Sequence, residues 1–257
     1  MGARKKNRRI INKEPIGLLD WIASIIKGLF IRSPQQTEVY NVANTPTTNK
    51  RALLIGSNYS GTSAPLNGCI NDLDNMKSFL QGRGFKYIRM VSDDERVKKP
   101  TEQIILKELT DFLAKSNAGE LLYLHFSGHG TQQKSYDRNE DDHLDEVICT
   151  YEADTTISYI SDNRLNQIIK DNLHKDATLY AVFDCCHSGS MLDLKYTYND
   201  TLTDWICSDT IKETDKCGHI IMMSGCCDDQ TSDDAEIEAN YQGALTYALL
   251  NALTNNK

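Results

Sequence analysis

Residues 182–189 read VFDCCHSG, an apolar run that ends in Asp184, two adjacent thiols, an imidazole and a hydroxyl. A second apolar run, LLYLHF (121–126), leads into SGHG (127–130), which sets His129 between two glycines. Zinc ligation fits poorly. Cys185, Cys186 and His187 are contiguous, and adding His219, Cys226 and Cys227 yields no spacing of a zinc site. A thioredoxin-like redox role needs C-x-x-C, which the chain lacks. Buried inert thiols account for Cys149 or Cys207. They do not explain why Asp, His and Ser crowd the end of an apolar run. Nucleophilic catalysis does. A thiol is mostly un-ionised at neutral pH, so a catalytic Cys needs a base beside it. His129 is the candidate, with Gly128 and Gly130 letting the backbone approach a substrate and freeing an N–H for an oxyanion. His187 is the rival, but a residue adjacent to the nucleophile in an extended segment points away from it.

The elements that must position these groups alternate. Strand signals fall at Ala52–Gly56, Lys86–Val91, Leu121–Phe126, Thr178–Phe183 and His219–Ser224. Helical spacing occupies 69–81, 101–115, 162–173 and 242–253. Alternation with strands that are apolar throughout predicts an α/β fold, with a mainly parallel central sheet flanked by helices on both faces. In such sheets ligands bind beyond the carboxyl ends of strands, and both chemistry-bearing segments follow strand ends.

Composition bounds the function. At 257 residues, one large domain with an appendage is expected: a basic segment over 1–48, then a catalytic domain over 49–257. A net charge of −8 argues against nucleic-acid binding. Eight scattered cysteines lack the density of a disulfide scaffold and point to a reducing, intracellular and cytoplasmic setting. The run 16–30 (IGLLDWIASIIKGLF) contains Asp20 and Lys27, lacks a signal-peptide exit, and is too short and charged to span a membrane. The N-terminal Met-Gly lacks the rest of a myristoylation motif. The apolar stripe in 16–30 suits a helix docked on the main domain. Alternatively, with basic residues 1–10, it suits a weak peripheral contact with anionic lipid through residues 1–30. Residues 32–50 read as a linker.

HFSGHGTQ (125–132) together with VFDCCHSGS (182–190) resembles the metacaspases, caspase-like cysteine peptidases. ALLIGSNY (52–59), LNGCINDL (66–73), LDEVICT (144–150) and SGCCDDQTSDD (224–234) extend the resemblance over about residues 50–250. The separation of His129 from Cys186 is close to the roughly 50 residues of caspase-type enzymes. The resemblance implies a caspase-like fold with Cys186 as nucleophile and His129 as base and later acid. The oxyanion would be held by the N–H groups of Gly130 and Cys186. It also implies a primary specificity pocket of Asp72 and Asp184 lined by Cys69 and Ser127. Two carboxylates there would favour a cationic side chain, so cleavage after Arg or Lys of protein or peptide substrates is expected. The animal-caspase Q-A-C-x-G signature is absent, so aspartate specificity is not implied.

Many metacaspases require calcium. The acidic stretch 137–146 (DRNEDDHLDE) fails the EF-hand pattern and reads equally as a solvated acidic loop. By resemblance the Ca2+ ligands map to Asp145, Asp162, Asn163 and Asp193, where Asn163 replaces a common carboxylate. The short stretch between Gly189 and His219 implies the short-linker type, with a large-subunit region over about 49–195 and a small one over about 217–257. Lys195, Lys212 and Lys216 are candidate self-cleavage points. The chain ends soon after the helix at 242–253, where relatives continue, so either a trimmed C-terminus or a reduced small-subunit region is expected. The expected product is a monomeric, calcium-stimulated cysteine endopeptidase. Its rivals are a catalytically weak binding module, and a caspase-fold peptidase or ligase with Asn or Asp preference.

Overall fold

A computed structural model describes residues 49–94, 97–134, 144–152, 156–199, 204–207, 217–225, 234–237 and 240–255. The segment 1–48 with its expected helix, the acidic stretch up to residue 143, Lys212, Lys216, Cys226 and Cys227 lie outside the described residues. Strand β1 (Lys50–Gly56) leads through helix α1 (Cys69–Gly82) to β2 (Tyr87–Ser92), and α2 (Glu102–Ala114) leads to β3 (Leu121–Ser127). Next come β4 (Gly130–Lys134), β5 (Leu144–Tyr151), β6 (Ile157–Ser161), α3 (Asp162–Asn172) and β7 (Thr178–Asp184). The chain continues through β8 (Tyr196–Asn199), β9 (Asp204–Cys207), β10 (His219–Ser224), β11 (Asp234–Ile237), β12 (Asn240–Gly243) and α4 (Ala244–Asn255).

Five strands form one parallel sheet in the order β10-β7-β3-β1-β2. The crossover β1-α1-β2 runs toward one edge, whereas β2-α2-β3 and β3-α3-β7 run toward the other. Right-handed crossovers therefore place α1 on one face and α2 with α3 on the opposite face. The packing agrees: α2 lies against α3, and α1 lies against α4. This is the α/β fold that the alternating signals predict. Strands β3 and β7 are buried at every residue, while the edge strand β2 alternates with exposed positions. Tyr87 on β2 is 72% exposed, the mark of an uncovered edge.

The helices bury the residues their spacing singles out. Leu73, Met76 and Leu80 of α1 and Ile105, Leu109, Phe112 and Leu113 of α2 are core side chains. Each such residue contributes about 1.5–3 kcal/mol when fully buried. The Thr101 and Ser161 hydroxyls cap α2 and α3 by accepting from the N–H groups of Ile104 and Arg164, both at 3.3 Å.

Two differences from the sequence expectation bear on the site. Residues 242 and 243, expected to open the last helix, close the β11–β12 hairpin instead, and α4 begins at Ala244. Asp145 and Glu146, read within an acidic loop, sit in β5 of the antiparallel sheet β4-β5-β6. This strand is half-buried at Leu144 and Asp145 and buried from Glu146 through Tyr151.

The described residues fall into two compact units. One holds 49–192 and 217–255 and contains the parallel sheet. The other includes 193–199 and 204–207, where β8 and β9 pair as an antiparallel hairpin. Among the described residues no helix is long and apolar enough to cross a membrane.

Candidate active site

Register brings the two candidate segments to one place. Gly56, Ser127 and Asp184 are direct partners across β1, β3 and β7, so these strands finish level at their carboxyl ends. The Gly128 N–H then donates to the Asp184 carbonyl at 3.2 Å. At Gly130 the chains touch: a Cβ there would stand 2.1 Å from the Cys186 carbonyl oxygen and 3.0 Å from Cys185 Sγ. Glycine is therefore required for β4 to start beside the Cys186 backbone. Cys185 is buried, whereas Cys186 is partly exposed and is the thiol a dissolved substrate can reach.

His129 is held on four sides. Its N–H donates to the Tyr59 hydroxyl at 3.0 Å, and its carbonyl accepts from the Cys149 N–H at 2.9 Å. Its ring lies 4.7 Å from the Tyr59 ring, tilted by 34°. Nε2 meets the Ala64 carbonyl at 2.9 Å. A carbonyl accepts only, so Nε2 carries the proton and Nδ1 is left with the lone pair of a base. Tyr59 is fully buried with φ +50°, a left-handed conformation that costs roughly 1–2 kcal/mol in a non-glycine residue. It donates in turn to the Cys149 carbonyl at 2.8 Å and packs with Cys149 and Tyr151. Burial holds the Tyr59 hydroxyl pKa well above the ordinary phenol value. Burial also pushes the Cys149 thiol up to about 12, which keeps it inert.

The geometric reason for setting His187 aside does not hold. Strand β7 ends at Asp184, so His187 is not in an extended segment, and it has φ +50°. The turn after β7 is closed instead by the Ser188 hydroxyl donating to the Cys185 carbonyl at 2.9 Å. Beyond it, Ser190 donates to Glu146 Oε2 at 2.8 Å, and Asn166 of α3 donates to the Leu192 carbonyl.

The four residues expected to line a specificity pocket do come together. Cys69 and Asp72 lie in the first turn of α1, one turn apart, and both are buried. The Ser127 hydroxyl donates to Asp72 Oδ2 at 2.7 Å. The Gly243 N–H donates to both Asp72 oxygens at 3.1 Å. A Cβ at Gly243 would stand 2.3 Å from Asp184 Oδ2 and 2.7 Å from Asp72 Oδ2, so the two carboxylates meet at this glycine. Asp184 Oδ2 accepts from both the N–H and the hydroxyl of Thr246, each at 2.7 Å.

Of the residues suggested for calcium, Asp145, Asp162 and Asn163 belong to the larger unit, and Asp193 belongs to the other. The Asn163 N–H donates to Asp162 Oδ1 at 2.6 Å, and its side-chain amide donates to Asp145 Oδ1 at 3.3 Å. Two carboxylates and an amide oxygen are hard donors and fit calcium chemically, which takes six to eight oxygens. Among the described residues no group of three or more His, Cys, Asp or Glu is gathered as a metal cluster.

Tyr59, Ala64, Gly243 and Thr246 were not singled out by sequence reasoning. A signal for the polar layer did exist. Tyr123, His125 and Ser127 alternate through LLYLHFS, which puts them on one face of β3, with Leu122, Leu124 and Phe126 on the other. Nothing in the one-dimensional pattern joins residues 243–246 to β7.

Known proteins agree with this architecture. A family model described as "Metacaspase, peptidase C14 domain" matches residues 50–195. Metacaspase-2 of Trypanosoma brucei brucei is 34% identical over 237 residues, which covers 82% of this chain and 66% of that protein. Metacaspase-1 of Botryotinia fuckeliana is 32% identical over 260 residues, covering 82% and 61%. The chain thus spans about two thirds or less of the length of these curated relatives. A crystal structure of a Geobacter sulfurreducens protein shares the fold, with TM-score 0.58 and 22% identity over 80% of this chain and 82% of that one. Because the family model takes in His129, Cys186 and the parallel strands that carry them, the chain belongs to the metacaspase family of cysteine peptidases.

Proposed function

We propose that this chain is a cysteine endopeptidase that cleaves after Arg or Lys, with Cys186 as nucleophile and His129 as base. The observation that carries this reading is the approach of the His129–Gly130 backbone to Cys186 across neighbouring strand ends, where only glycine fits. In the first half-reaction, His129 Nδ1 takes the Cys186 thiol proton and Sγ attacks the scissile carbonyl carbon. The N–H groups of Gly130 and Cys186 receive the developing oxyanion. Collapse breaks the C–N bond, the proton passes from His129 to the leaving amine, and a thioester remains. Water, deprotonated by His129, then attacks the thioester and releases the acid and the thiol.

Asp72 and Asp184 at the site support a preference for a cationic side chain, since a desolvated acidic pair repels an acidic one. Calcium stimulation is part of the same reading. Asp145, Asp162 and Asn163 would take part in holding the ion, which would supply fixed positive charge to these carboxylates. Support comes from the ties between the post-β7 turn and the elements bearing these groups: Ser190 to Glu146 beside Asp145, and Leu192 to Asn166 in the helix of Asp162 and Asn163. Self-cleavage after Lys195, Lys212 or Lys216 would be a further use of the same specificity.

One assay tests these points together. Arg-, Lys-, Asp- and Asn-terminated fluorogenic peptides are turned over by wild type and by Cys186→Ala, with calcium or a chelator. Turnover of Arg and Lys peptides that rises with calcium and vanishes in Cys186→Ala is expected. Asp or Asn preference, or turnover that survives Cys186→Ala, contradicts it.

A further inference from the structure

The specificity acids are gripped by a part of the chain far from either motif. Gly243 and Thr246 flank the start of α4, where backbone N–H groups lack helical acceptors and favour anionic partners. Asp72 takes the Gly243 N–H, and Asp184 Oδ2 takes the N–H and hydroxyl of Thr246. Thr246 is itself fully buried.

A third residue fixes the direction of these bonds. His125 of β3 is fully buried, and its Nε2 lies 3.3 Å from Thr246 Oγ1. A threonine hydroxyl has one proton, and it is directed to Asp184. Oγ1 therefore accepts from His125 Nε2–H. Nδ1 then carries the lone pair, and it is buried without a hydrogen-bond partner among the described residues. Burial holds this imidazole neutral, its pKa pushed down to about 4 against the pull of Asp184. A proton on Nε2, which the Nδ1–H tautomer lacks, is what keeps the Thr246 proton aimed at the carboxylate.

We propose that Thr246 is a positioning residue for substrate-charge selection: through its hydroxyl, oriented by His125, it holds the Asp184 carboxylate in place to receive the cationic side chain. The proposal rests on the Arg/Lys preference proposed above. It makes α4, rather than either catalytic strand, the element that tunes that preference. Thr246 and His125 take no part in the bond-making steps proposed for Cys186 and His129, so loss of the relay should separate binding from chemistry.

The test compares wild type with Thr246→Val, which keeps the helix N–H and the side-chain shape but removes the hydroxyl. Thr246→Ser restores the hydroxyl. Readouts are kcat and KM on Arg-terminated and neutral Gln-terminated peptides of one sequence. In Thr246→Val the Arg-over-Gln ratio of kcat/KM should fall about tenfold or more, mainly through KM for the Arg peptide. Thr246→Ser should regain most of that ratio. If Thr246→Val does not fold, as judged by its melting curve, Thr246→Ala is read in the same way. A folded hydroxyl-free variant with the wild-type Arg-over-Gln ratio overturns the role of Thr246. So does an equal fall of kcat on both peptides. If wild type instead prefers Asp or Asn peptides, the charge-selection reading itself fails, a result distinct from the other two.

Discussion

The two halves of the site are built on different principles. His129 and Cys186 follow adjacent parallel strands, and the Tyr59 side chain with the Ala64 carbonyl and the Cys149 N–H holds His129. Asp72 and Asp184 lie at the same sheet end, but their partners come from Gly243 and Thr246 at the other end of the chain. The first set of contacts holds the groups that make and break bonds, and the second holds the carboxylates proposed to meet the substrate side chain, each of which accepts from a backbone N–H and a hydroxyl. Damage to the first half should therefore appear in kcat, and damage to the second in KM and selectivity.

The largest effect expected is from Cys186→Ala, which removes the bond-forming atom and should lower kcat/KM by roughly 10³-fold or more. Cys185→Ala in the buried neighbouring thiol is the control, and it should retain turnover. Equal loss in both would erase the assignment of separate roles to the two cysteines. Gly130→Ala comes next, because its Cβ cannot coexist with the Cys186 carbonyl in the present geometry. Displacing the oxyanion donor should cost about 10²–10³ in kcat, with a smaller change in KM. Wild-type kcat in this variant would remove Gly130 from the site.

Tyr59→Phe is a milder probe of the same half. It keeps the ring against His129 but leaves the His129 N–H and the Cys149 carbonyl without the hydroxyl that bridges them. A fall in kcat of about tenfold is expected, with little change in the Arg-over-Gln ratio. A loss of selectivity without loss of kcat would invert the comparison.

In the other half, the remaining effect is one of stability rather than of turnover. His125 has its pKa lowered from 6.5 to about 4 by burial. Between those values the unfolded chain binds a proton that the folded one does not. Its contribution is thus complete above about pH 6.5 and is lost as pH falls toward 4, on the order of 3 kcal/mol at most. His125→Gln should flatten this acid limb in urea unfolding compared at neutral pH and near about pH 4.5. The same limb in wild type and variant would show that another group controls it; Asp184 and Tyr123 are the titratable side chains that interact with His125.

How much of this was legible in sequence follows the same division. The parallel sheet was readable because apolar runs such as TLYAVF and ALLIG alternate with helical spacing. The catalytic segments were readable because each directly follows such a run. The hairpins were not. DAEI and NYQG are short and polar, and their pairing is a tertiary matter. For that reason the last helix was set two residues early, over the glycine where Asp72 and Asp184 meet. Thr246 was hidden for a related cause: a threonine in the first turn of a helix looks like local capping, and its partner is on a strand remote in sequence. His187 was set aside on strand alternation that stops two residues too soon, and its left-handed backbone is visible only in three dimensions.

The central claim is that Cys186, beside His129 and Gly130, is the atom that forms the covalent bond. It is tested most directly by treating the protein with an Arg-terminated peptidyl chloromethyl ketone and locating the adduct by peptide mass spectrometry. Labelling confined to Cys186, and lost when His129 is replaced by Ala, is the predicted result. Modification of Cys185 or His187 in its place, or labelling of Cys186 at the same rate without His129, would contradict the account.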